Sequence, residues 1–155
     1  MGAQRQYTGT AGRTENAQVA VYLAYAAPAG TAFIDRALYL PRSWTSDPAR
    51  CQAAGVPRDT TFATKPALAR QMICRALDAG TPAGWVAGDE VYGQDPQLRA
   101  ELARRGLGYV LAVAKSHPVV TGIGSRPAIE LARRLPARAW QRLSAGPGAK
   151  GPPLV

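Results

Sequence analysis

The apolar residues of this chain follow two periods. From Asn16 to Ala26, Val19, Val21, Leu23 and Tyr25 share one parity, which is the pattern of a strand with one buried face. Pro28-Ala29-Gly30 forms a turn. Thr31 to Leu40 then alternates weakly through Phe33, Ile34, Leu38, Tyr39 and Leu40, so the two segments predict an antiparallel hairpin. At Thr64 the period changes. Leu68, Met72, Ile73, Ala76 and Leu77 recur on one helical face, with Arg70 and Arg75 off it. Thr64 can cap this helix, Pro66 suits its first turn, and Gly80 suits the position after its end. Trp85–Gly88 is a short apolar strand. Asp95-Pro96 opens a second helix that turns Leu98 and Leu102 inward and stops at Gly106. Tyr109 to Ala114 reads as a buried strand closed by Lys115.

The remaining segments carry weaker patterns. Residues 1–14 are polar and glycine-bearing and read as loop. Residues 41–63 form an excursion with a short helical piece near Ala49–Ala54. A further short helix is expected near Pro127–Arg134, and Gly146 to Pro153 cannot form regular structure. Trp44 and Trp85 are assigned to the core. The order strand, strand, helix, strand, helix, strand predicts an α/β fold. In it an antiparallel hairpin is followed by parallel strands joined by crossover helices.

Composition narrows the function classes. A length of 155 residues suits one domain, and 46% hydrophobic residues suit a packed core. There is no apolar run of bilayer length and no signal-peptide pattern, so a cytosolic, reduced protein without a membrane partner is expected. Cys51 and Cys74 have neither CxxC spacing nor a nearby histidine, which leaves a zinc site and a disulfide framework unsupported. The GxxxxGK[ST] phosphate loop is absent. Net charge is +9, with sixteen Arg among the nineteen basic residues. Residues 1–95 are nearly balanced at +1, whereas residues 96–155 carry +8. That asymmetry fits a polyanionic partner such as DNA, for which Arg forks match phosphate geometry. It also fits a GC-rich coding sequence that inflates Arg and Ala. Lys115 and the segment with Arg133, Arg134, Arg138, Arg142 and Trp140 are the candidate nucleic-acid contacts, or a solvated basic face.

The most informative stretch is Gly84-Trp85-Val86-Ala87-Gly88-Asp89-Glu90-Val91-Tyr92-Gly93. A carboxylate at the C-terminal tip of a strand is where α/β folds collect ligands and place metal-dependent chemistry. An Asp just past a strand is also a common N-cap or turn former. Glu90, on an extended backbone, is expected to point away from Asp89.

These residues, together with others in the same order, resemble the transposases of bacterial insertion sequences that carry a DDE catalytic domain. The matching segments are Gln4 to Arg13, Asn16 to Val21, Leu38-Tyr39-Leu40-Pro41 with Ser43-Trp44, Thr64-Lys65-Pro66, Val86 to Gly93, and Tyr109 to Val113. The resemblance implies a ribonuclease H-like fold and DNA cleavage and strand transfer with two Mg²⁺ or Mn²⁺ ions. It also implies a nucleoid-associated location in bacteria. Asp89, with Tyr92 three residues on, matches the second acid of the family triad and is thereby the expected catalytic residue and metal ligand. The family's first Asp precedes the segment like Gln4–Tyr7, and its Glu follows the segment like Gly146–Gly151. Neither has a counterpart here. The expectation is therefore a central, inactive fragment, with an incomplete catalytic domain over 1–135 and a loose basic tail over 136–155. Its unpaired strand edges would favour self-association or pairing with a full-length transposase. The alternatives are a non-catalytic DNA-binding module and an unrelated metal-dependent hydrolase.

Overall fold

In the computed structural model, residues 1–141 are described. Cα packing divides the chain into two units, Met1–Val113 and Ala114–Val155. The first opens with a hairpin that the sequence pattern does not announce. Strand β1 (Gln4–Thr8) pairs antiparallel with β2 (Arg13–Ala17), where a loop is expected. Their residues are polar on both faces, so no apolar alternation marks them. Side-chain amides and an indole tie this hairpin down instead. Gln6 Nε2 donates to the carbonyls of Gly2 at 3.2 Å and Ala17 at 2.6 Å, and Trp44 Nε1 donates to Ala3 O at 3.3 Å.

The predicted hairpin follows as β3 (Val19–Ala27) and β4 (Gly30–Tyr39), antiparallel. Its register slips once: Leu23 faces Asp35 while Ala24 faces Phe33, which leaves Ile34 as an extra residue in β4. Two short helices, α1 (Arg42–Thr45) and α2 (Pro48–Ala53), lead to the long helix α3 (Lys65–Asp78). The sequence signals for α3 act as expected. Thr64 Oγ1 accepts from Ala67 N at 3.2 Å, Pro66 lies in the first turn, and Gly80 takes the left-handed conformation past the end at φ +80°.

Strand β5 (Trp85–Gly88) is followed by a single helical turn, α4 (Glu90–Gly93), and by α5 (Pro96–Arg104), whose cap Asp95 accepts from Leu98 N at 2.7 Å. Strand β6 (Gly108–Leu111) returns parallel to β5, pairing Trp85 with Gly108 and Gly88 with Leu111. The apolar run expected as strand through Ala114 thus leaves the ladder after Leu111.

One face of α3 binds these parts together. Ala69 and Met72 pack with Val21, while Ile73 packs with Leu98 and Leu102 of α5. Leu23 of β3 and Tyr92 of α4 touch both groups. Burying such side chains stabilises by roughly 1.5–3 kcal/mol each. On the flank, Glu101 accepts from Arg104 and Arg105 within α5 and its cap, and Arg105 also reaches Asp78 of α3 at 2.6 Å, the ion pair that joins the two helices. Trp44 is core as expected, but Trp85 is 72% exposed. Its parity in β5 turns it away from α3, and its ring lies over Gly108, the residue opposite it in β6.

The architecture is mixed α/β, consistent with an incomplete ribonuclease H-like fold. Among the described residues β3 pairs only with β4, and β5 only with β6, so the hairpin and the parallel pair share a helix but no hydrogen-bonded ladder.

The second unit holds the hairpin β7 (Pro118–Thr121) and β8 (Gly124–Pro127), then α6 (Ala128–Arg134) and a 3-10 turn over Ala137–Ala139. The helix is the expected one, while the hairpin has only four-residue strands and little apolar alternation to announce it. No helix among the described residues is long and apolar enough to cross a membrane.

Candidate functional site

Asp89 follows directly on β5, at the C-terminal tip of the parallel pair, and is exposed. The backbone turns there because Asp89 caps α4: its Oδ1 accepts from Val91 N at 2.9 Å, and its carbonyl accepts from Tyr92 N and Gly93 N at 3.1 Å. The turn-former reading is thus realised by the cap, and the carboxylate stands at the strand tip. Glu90 departs from expectation. It stands in the first turn of α4 and not on an extended backbone, so the alternation that would have sent it to the opposite side does not apply.

Close packing fixes this turn against the sheet. Gly93 is buried, and a Cβ on it would lie 1.9 Å from Ala112 O. Tyr92 is half-buried below Asp89. Burial, and then the Asp89 carboxylate beside it, push its phenol upward, so the ring stays neutral.

Asp89, Glu90 and Tyr92 form one wall of a cleft of about 690 Å³. Tyr7 and the turn after it, the start of β3, Tyr22 and Lys65 form the rest. The sequence points to Asp89, with Glu90 and Tyr92 beside it, as the chemistry-bearing part of this surface. Lys65 stands in Thr64-Lys65-Pro66, a segment that carries the family resemblance and a helix start but no stated site role. Tyr7 sits in a segment without periodicity.

The donor set bears on the metals that the resemblance implies. Two divalent ions need a bridging carboxylate and several further oxygen ligands. The cleft offers Asp89 and Glu90, and among the described residues no three His, Cys, Asp or Glu side chains come together in a group that could hold a metal ion. These residues alone do not fit a two-metal centre. The other acids on helices are paired elsewhere: Asp78 with Arg105 at 2.6 Å, Glu101 with Arg104 and Arg105, and Glu130 with Arg126 at 3.6 Å. Asp35, in β4, is held by Arg75 at 2.7 Å, and this hydrogen bond holds its carboxyl below the usual range. Burial and then the hydrogen bond to Glu101 push the Cys74 thiol up.

The basic candidates lie in the second unit. Lys115 is exposed before β7, and its carbonyl accepts from Ile129 N at 3.0 Å. Arg133 and Arg134 end α6, and Arg138 lies in the 3-10 turn; all three are exposed, as is Trp140. Arg142 and the Gly146–Pro153 segment lie outside the described residues.

A family model described as DDE superfamily endonuclease matches residues 1–142. No curated protein and no solved structure matches the chain.

Proposed function

We propose that this chain, which belongs to the DDE superfamily endonuclease family, is part of a DNA transposase catalytic domain in which Asp89 supplies one carboxylate of the phosphodiester chemistry. The family implies DNA as substrate and divalent metals as its general requirement. The observation that carries the reading is the position of Asp89, exposed at the tip of a parallel strand pair and facing a cleft.

The finer reading follows from the donor count. With only Asp89 and Glu90 in the cleft, residues 1–135 act as an incomplete catalytic domain that does not cleave DNA alone in Mg²⁺ or Mn²⁺. Residues 136–155 act as a basic tail. Charge favours a second reading, in which the same chain is a non-catalytic module that contacts DNA or pairs with an intact transposase. Net charge is +8 over residues 96–155, and Arg133, Arg134 and Arg138 are exposed.

Incubation with supercoiled plasmid in Mg²⁺ or Mn²⁺ tests both readings. Salt-sensitive binding without nicking is the expected result. Nicking that disappears in Asp89→Asn would overturn the inactivity while keeping the role of Asp89. Absence of binding even at low salt would overturn the assignment to DNA.

A further inference from the structure

The side chains lining the cleft beside Asp89 include Tyr7, Tyr22 and Lys65, which phosphodiester chemistry does not require. We infer that the cleft holds one unpaired nucleotide of the DNA, with its base stacked on Tyr7 and Tyr22 and its phosphate on Lys65. This inference rests on the DNA reading above.

Size supports a nucleotide. A concavity of about 690 Å³ is in the range of small-molecule sites, and a duplex does not enter one. The walls support stacking. Tyr7 is 59% and Tyr22 57% exposed, so neither ring is spent on the core, and both line the cleft. Tyr22 is braced from the side by Phe33, with ring centroids 5.3 Å apart. A fixed aromatic face is what base stacking uses, and it tolerates any base.

Charge sets the orientation. Without a divalent cation, Asp89 and Glu90 repel a phosphate from their side of the cleft, while Lys65 is the cation that lines it among the described residues. Its Nζ lies 5.4 Å from the centre of the Tyr39 ring, a cation–π contact that restrains the ammonium. The phosphate is thus directed to Lys65 and the base to the tyrosines.

The test uses the full chain and a duplex bearing a short single-stranded overhang with 2-aminopurine, beside the blunt duplex, without divalent cation. The wild type is expected to quench the overhang fluorescence and to bind the overhang more tightly than the blunt end. Tyr7→Leu or Tyr22→Leu should lose the quenching and weaken overhang binding about ten-fold, whereas Tyr7→Phe should retain both. Lys65→Gln should weaken binding and lower the salt slope by about 0.7, with quenching at saturation retained. Both tyrosines are exposed, so leucine leaves the core intact, and a thermal melt of each variant verifies this. If DNA still binds and all three non-conservative variants match the wild type, the inference fails and the transposase reading stands. If the wild type binds no DNA, the transposase reading fails first.

Discussion

Gly93 approaches Ala112 so closely that a methyl group on its Cα would lie 1.9 Å from the Ala112 carbonyl oxygen. The obstacle is backbone, which cannot rotate aside. The turn that carries Asp89 is therefore seated on the end of β6 by the absence of a side chain. Gly93→Ala is expected to destabilise the fold by about 3 kcal/mol or more. Gly88→Ala, which would meet Leu111 Cδ2 at 3.0 Å, should cost only about 1 kcal/mol because a side chain can move. Urea denaturation of both variants gives the comparison, and equal losses would contradict it.

Asp89 has a structural duty separate from any chemistry. Its Oδ1 caps α4 through Val91 N. Asp89→Ala should therefore lose about 1 kcal/mol, while Asp89→Asn, which keeps an oxygen in place, should lose only a few tenths. Denaturant midpoints measured on the two variants decide it. Nuclease assays should accordingly use Asp89→Asn, so that lost activity is not lost folding.

Acid should loosen the end of α5 and, through Asp78, its ion pair to α3. Hydrogen bonds from Arg104 and then Arg105 hold the Glu101 carboxyl far below the usual glutamate range, and Arg105 lowers Asp78 likewise. A group whose folded value is depressed adds stability above its unfolded value and loses it as pH falls toward the folded one. Melting temperature should drop progressively below about pH 4.5, more steeply in the wild type than in Glu101→Gln. Parallel curves would remove Glu101 from the account.

Among the described residues one edge each of β3 and β5 is unpaired, and these edges should make the chain associate with itself. Sedimentation over a concentration series is expected to show growing species. A lysine at exposed Ala24 of β3 should suppress them, since edge lysines block strand pairing. A monomer at every concentration would refute this.

What could be read from the sequence was what local chemistry decides. Helix α3 is bounded by Thr64, Pro66 and Gly80, and α5 by Asp95 and Gly106, each acting within a few residues of itself. The β3–β4 hairpin is legible because its alternating face packs on α3. By contrast, β1 and β2 depend on bonds from Gln6 and Trp44 to distant carbonyls, which no periodicity records. Trp85 misleads for a related reason. A large apolar residue suggests burial, yet strand parity sends it outward, and only the pairing with Gly108 gives it a surface to lie on. Asp89 is legible as a strand-tip acid, but the cleft it faces also takes Tyr7 and Lys65, far away in sequence, and nothing local to either residue announces that they meet there.

The extra residue at Ile34 separates strand length from side-chain facing. Leu23 and Asp35 share the side toward Arg75, and Ala24 and Phe33 the side toward Tyr22, although one more residue stands between Phe33 and Asp35 than a regular ladder would hold. Removing Ile34 would close the ladder without turning either neighbour over. Relatives one residue shorter at this point would accordingly keep the same inner and outer surfaces, and a gap there in an alignment would signal no change of architecture.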